Sequence, residues 1–187
     1  AHAEFPKREL IMKRLAMATE LAYVIINPYS IAKSRTGGIM ARYLSRSGLD
    51  LVGARLFGPS AELAGKYSEL IRANDTIDAA YRDKLADYIL RTYMPDETGK
   101  RNRVLLLLFE GENAIEKIKD VTGPLRQNME AGETIRDTFG DYIVNNQGEL
   151  VYLEPAVMIG PNARSIAQVL RLWSQFEYSD GGIIDNA

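Results

Sequence analysis

The chain has 187 residues, 46% hydrophobic and 26% charged, with 23 basic and 25 acidic side chains for a net charge of −2. That balance argues against nucleic acid as a main partner, because a phosphate backbone needs a basic face. No apolar run reaches the ~20 residues of a membrane span and the N-terminal stretch lacks the apolar centre of a signal peptide, so a cytoplasmic protein off the membrane is expected. Cysteine is absent and His2 is the only histidine. Disulfides, thiolate nucleophiles, Cys- or His-rich metal sites and a Ser-His-Asp triad are thereby removed, and carboxylates, Lys, Arg, Tyr, Ser, Thr or a bound cation must carry any chemistry.

In chain order, residues 1–19 read as an N-terminal helical extension, with Leu10, Ile11, Leu15 and Ala18 roughly on one face. Residues 20–178 read as one domain and 179–187 as a loose tail. Leu21 to Ile26 are uninterrupted apolar residues, too few for a helix and suited to a strand buried on both faces. Asn27-Pro28 ends it. A polar loop with Lys33 and Arg35 follows, then a helix capped by Thr36 with Ile39, Met40, Tyr43 and Leu44 at helical spacing and Gly48 at its end. Leu49 to Phe57 is a second strand, with Leu49, Leu51, Gly53, Arg55 and Phe57 pointing one way. Pro59-Ser60 opens a helix whose stripe is Leu63, Ala64, Tyr67, Leu70 and Ile71. Asn74, Asp75 or Thr76 caps the next, which carries Ile77, Ala80, Tyr81, Leu85, Tyr88 and Ile89.

Val104 to Phe109, VLLLLF, reads as a central strand. Asn113 caps a helix with Ala114, Ile115, Ile118 and Val121 inward, stopped by Gly123-Pro124. Leu125 to Asp141 is polar and aperiodic, and a long structureless loop in a compact domain is usually functional. Tyr142 to Val144 is a short strand, Asn145 to Gly148 a turn, and Leu150 to Met158 a last strand interrupted by Pro155 at an edge or bulge. Arg164 to Phe176 is the final helix. This order predicts an α+β, ferredoxin-like (split βαβ) fold: a four-stranded antiparallel sheet with surrounding helices, the first and third strands central.

Given that order, YVIINPYSI with GGIMARYL, VLLLLFEGENAIEKIKDVTGP, GETIRDTFGD and the helix Ser165 to Trp173 together resemble the nucleoside diphosphate kinase family. The resemblance covers roughly Leu21 to Trp173. It implies γ-phosphate transfer between nucleotides through a phosphohistidine, with Mg²⁺ accompanying ATP, in a homo-oligomer. This chain departs from the pattern. The family's lysine after the first strand is Asn27. Its catalytic histidine should fall around Ala156 to Met158, within EPAVMIGPN, where there is none. The glutamate that supports that histidine is replaced at about Val169, and the chain is longer than the family pattern between Arg136 and the last strand. What remains is Arg136 with Thr134, matching a phosphate-contacting segment. Tyr67 matches a tyrosine on the helix beside the histidine, and Lys119 stands near a phosphate-binding arginine.

Chemically, the Arg136 guanidinium suits phosphate because its planar fork donates parallel bonds. The alternative is a structural tie to Asp137 or Asp141; as a loop residue, Arg136 should matter little for folding. Lys33 and Arg35 could hold an anion before a helix start or form a solvated loop. Tyr67 could contact nucleotide or pack in the core, and Asp137, Asp141 and Glu154 could hold Mg²⁺. The sequence therefore predicts a nucleoside-diphosphate-kinase-like protein that binds nucleotide (ATP or a diphosphate) without phosphohistidine transfer, as a sensor or assembly partner. The alternatives are an enzyme of nucleotide phosphoryl transfer or hydrolysis using another group, and a structural oligomer without ligand. A sheet with helices on one side only would leave apolar surface for homo-oligomerisation.

Overall fold

β1 (Glu20–Ile26) is buried so completely that Val24, Ile25 and Ile26 are 0% exposed. In this computed structural model, which describes residues 19–125 and 132–182, β1 lies between β3 (Val104–Gly111) and β6 (Val157–Ile159). β2 (Asp50–Phe57) flanks β3, so the sheet runs β2-β3-β1-β6 and every pairing in it is antiparallel. The expected ferredoxin-like order is present, with the two most apolar runs at its centre. The N-terminal helical extension expected over Glu4 to Ala18, and His2 with it, lie outside the described residues.

Helices cover both faces, which corrects the expectation of a one-sided sheet. On one face Tyr23, Ile25, Leu106 and Met158 pack against α3 (Ala61–Arg72), α4 (Ala79–Tyr93) and α7 (Ala163–Gln175), with Trp173 at the centre. On the other, Ala22, Val24, Ile26, Leu107 and Phe109 pack against Ile39 and Tyr43 of α2 (Thr36–Arg46) and Ile118 of α5 (Ala114–Thr122). Two buried faces explain why neighbouring residues along β1 and β3 are all apolar instead of alternating. A β-bulge at Val52 shifts the register of β2. Leu49 and Leu51 therefore join the second cluster while Phe57 joins the first, where simple alternation had placed all three on one side.

Three local expectations change. The loop after Asn27 begins with α1 (Pro28–Ala32), because Pro28 sits at the first helical position, where its missing N–H leaves nothing unpaired. Arg35 rather than Thr36 precedes α2, and Asp78 rather than the Asn74–Thr76 group caps α4, its carboxylate accepting from Ala80 N at 2.9 Å. Ser60 and Asn162 cap α3 and α7 through their side chains.

The expected last strand is two strands in different sheets. β4 (Asp141–Val144) and β5 (Leu150–Glu154) form a separate two-stranded hairpin, and the chain turns at Pro155-Ala156 into β6. Residues 179–182, expected to be loose, are clasped to β2. Gly182 N donates to Leu56 O at 2.7 Å, and the buried Asp180 carboxylate accepts from Ser60 N (2.8 Å), Ser60 Oγ (2.7 Å) and Arg101 (3.2 Å).

Candidate functional site

The Pro155-Ala156 corner lies against the end of β1. Ala156 has φ +64°, the left-handed region that a side chain disfavours. It is held there from three sides. Asn27 N (3.1 Å) and Ser30 Oγ (2.9 Å) donate to its carbonyl, and its own N–H donates to a Glu154 carboxylate oxygen at 3.0 Å. Strain of this kind persists only where the surroundings over-determine it. The corner, at Ala156 to Met158, is where the family resemblance places a histidine. Here Ala156 and Val157 pack in one core cluster and Met158 in the other.

Around it stands a buried polar network. Asn27, 0% exposed, accepts from Tyr93 OH at 2.5 Å, while its Nδ2 has no partner among the described residues. Glu154, also buried, accepts from Tyr88 OH at 2.7 Å, and its pKa is pushed up by burial, against the pull of the donors around it. Tyr67 lies in an aromatic nest with Tyr93 (centroids 5.9 Å) and Trp173 (5.5 Å). The hydroxyls of Tyr23, Tyr67 and Tyr142 likewise have no partner among the described residues. Tyr88 and Tyr93 are site residues that the sequence reading missed. The available signal was tyrosine abundance, 10 in the chain, since each buried hydroxyl needs an answering group.

Arg136 is the hub. Residues Ile135–Phe139 form a short helix, α6, not the expected loop. Thr134 caps it, accepting from Asp137 N (3.2 Å) and donating to the Asp137 carboxylate (2.7 Å). That arrangement turns Arg136 inward, where it is 7% exposed and donates to the carbonyls of Pro155 (3.3 Å), Gly123 (3.1 Å) and Val157 (3.3 Å). The tie is thus to backbone oxygens, not to Asp137 or Asp141. Desolvation lowers its pKa, yet a guanidinium stays charged. Its cation opposes the burial effect that pushes Tyr142 up to about 12. Gly123, at φ +81°, brings its carbonyl into place because a side chain there would collide with Thr134.

Other arginines hold α6 from α2. Arg42 donates to Glu133 O (3.2 Å), Thr134 O (3.3 Å) and Thr138 Oγ1 (2.5 Å), and Arg46 to Glu133 O (2.6 Å). Arg35 donates to Phe139 O at 2.8 Å, and with Lys33 it lies over the Tyr29 ring, whose hydroxyl donates to Asp141 at 2.6 Å. Lys119 stands apart, bonded to Glu116 on α5 (2.7 Å). Of the expected residues, then, Arg136 and Thr134 meet at one short helix, Tyr67 lies in the aromatic core with Tyr93 and Trp173, and Lys119 is engaged elsewhere. Asp137, Asp141 and Glu154 answer Thr134, Tyr29 and Tyr88 respectively, and no metal-binding group of three or more acidic or histidine side chains occurs among the described residues. Nor is any described helix long and apolar enough to cross a membrane.

The sequence model of the nucleoside diphosphate kinase family matches residues 20–148. A nucleoside diphosphate kinase of Legionella pneumophila is 32% identical over 130 residues, covering 70% of this chain and 81% of that protein. One of Pyrococcus horikoshii is 30% identical over 122 residues, covering 65% and 68%. Among solved structures, the fold is similar to a Borrelia burgdorferi nucleoside-diphosphate kinase with bound vanadate and ADP, at TM-score 0.62 and 19% identity over 84% of this chain and 88% of that one. It is also similar to the Aquifex aeolicus nucleoside diphosphate kinase, at TM-score 0.58 and 20% identity over 83% and 95%.

Proposed function

Since the chain belongs to the nucleoside diphosphate kinase family, we propose that it binds nucleotide at the Arg136 corner without passing phosphate through a histidine, acting as a nucleotide sensor or assembly partner. The observation that carries this reading is the residue content of the corner. The only histidine is His2, and Ala156, Val157 and Met158 have buried apolar side chains at the corner where the family resemblance places a histidine. A phosphohistidine route there has no histidine to use, while the fold and a buried guanidinium remain. Thr134 and Tyr67 are the proposed neighbours of the phosphates, and Lys119, paired with Glu116, would have to leave that carboxylate to reach them. Mg²⁺ fits this chain as a passenger of the triphosphate, because the nearby carboxylates are bonded separately to Thr134, Tyr29 and Tyr88.

The test is calorimetric titration with ATP·Mg²⁺ and ADP, beside incubation with labelled ATP. Binding without an acid-labile, base-stable phosphoprotein is expected once His2 is deleted. A robust label of that kind in the deleted protein would sink the reading.

A second reading, a structural oligomer, draws on the outer flank of β2. Val52 (50% exposed) and Leu56 (37%) there leave apolar surface uncovered. We propose a homo-oligomer for this reason, and a sedimentation mass equal to one 20.9 kDa chain at micromolar concentration would count against it.

A further inference from the structure

The β4–β5 hairpin runs into the Arg136 corner through Pro155, whose carbonyl accepts from Arg136. On its underside Leu150 and Leu153 belong to the core cluster that includes Leu85, Tyr88 and Ile89 of α4, and the half-buried Tyr142 packs against it. Its outer side shows Ile143 (56% exposed) and Val151 (59%). The hairpin leaves and rejoins the domain at one place, Asp141 opposite Glu154. Each of these base residues is held by one tyrosine: Asp141 by Tyr29 OH at 2.6 Å and Glu154 by Tyr88 OH at 2.7 Å. Arg35 adds a distant charge contact to Asp141 at 3.9 Å.

Beneath lie groups whose bonding is incomplete. The bonds from Arg136 are 3.1–3.3 Å, at the long end for N–H···O, and they join a full cation to neutral carbonyls. The Tyr142 hydroxyl, on the hairpin itself, donates to nothing among the described residues. One of the carbonyls that hold Arg136, on Pro155, directly follows the hairpin, while Val157 belongs to β6 of the main sheet. Raising the hairpin would draw the Pro155 acceptor away from the guanidinium. A phosphate oxygen forms shorter and stronger bonds to a guanidinium than a carbonyl does.

We propose that the hairpin 141–154 is a gate: closed, it keeps Arg136 on the Pro155 carbonyl; open, it releases the guanidinium from that carbonyl for the phosphates of a nucleotide. The inference rests on the nucleotide-binding reading above. A gate that is mostly closed reduces apparent affinity by the fraction open, so loosening its latch tightens binding.

The experiment uses the full chain, with Tyr29→Phe and, separately, Asp141→Asn as latch variants. Each is titrated with ATP·Mg²⁺, and amide hydrogen exchange is followed across residues 141–154. In the wild type, saturating ATP should accelerate exchange in the hairpin. Each latch variant should exchange faster without ligand and bind ATP up to roughly tenfold more tightly. If ATP binds the wild type while hairpin exchange is unchanged or slowed, the gate is wrong and the nucleotide reading stands. If neither the wild type nor any variant binds ATP, the nucleotide reading fails and the gate with it. A melt of each variant identifies any that fail to fold, and exchange in the wild type then decides alone.

Discussion

Two buried charges tie distant parts of this chain together, and they do so in opposite ways. At the C-terminal clasp, the Asp180 carboxylate meets Arg101 and the N–H and hydroxyl of Ser60. Opposite charge answers charge, and Arg101, 44% exposed, keeps contact with water. At the corner, Arg136 is enclosed and, among the described residues, bonds only to the carbonyls of Gly123, Pro155 and Val157. An ion pair is a finished arrangement. A buried cation on neutral dipoles is one that an anion could still improve, and that difference separates a structural clasp from a candidate site.

The sharpest way to break the comparison is Arg136→Ala. It leaves those carbonyls without their donor and opens a void, so a loss of about 3–5 kcal/mol is expected from unsatisfied buried groups. By thermal melt that is a fall on the order of 10 °C. Arg136→Lys should recover less than half, because one ammonium cannot serve the planar fork's directions. A melt unchanged by Arg136→Ala would contradict the hub. This also reverses the expectation that a loop arginine is dispensable for folding. Asp180→Ala should cost less, about 2 kcal/mol, since Ser60 and Arg101 border solvent and water replaces part of what they lose. Salt sharpens the contrast. Raising ionic strength should shrink the Asp180→Ala effect, an exposed arginine being screened, and leave the Arg136→Ala effect unchanged.

The smallest effect is a change of slope with pH. Folding lifts the Glu154 pKa above its ordinary 4.5, chiefly by desolvation. The folded chain therefore holds that proton more tightly than the unfolded chain. The associated stability is complete below the unfolded value and is lost as pH rises through the raised folded value. Denaturant melts over the window that opens at 4.5 and extends upward should show Glu154→Gln lacking this part of the decline. An identical slope in both proteins would mean Glu154 titrates as in water.

The central strands were readable because VLLLLF and LAYVII leave no polar face, which only a sheet covered on both sides requires. The position of Arg136 on a family-like fragment was readable; its environment was not. Thr134 capping Asp137 N turns five residues into a helix, and a cap shows in sequence only once the helix is suspected. Pro155 announced an interruption, but whether the chain bulges or changes sheets depends on what receives Ala156, namely Asn27, Ser30 and Glu154. Tyr93 stood outside the predicted stripe, and its bond to Asn27 joins residues far apart in the chain, which no local pattern shows. The paired fates of Leu51 and Phe57 hinge on one bulged residue that periodicity does not reveal.

The joined base of the hairpin makes it a port for protein engineering. Asp141 and Glu154 sit opposite one another, and the tip from Asn145 to Gly148 closes on itself through Gly148 N to Asn145 O at 3.0 Å. A guest peptide or fluorophore spliced into that tip would travel with the hairpin while the main sheet kept its registers. Cysteine is absent from the chain, so a single thiol placed at Gln147 would take a dye at one position and report the hairpin's distance from the sheet one molecule at a time.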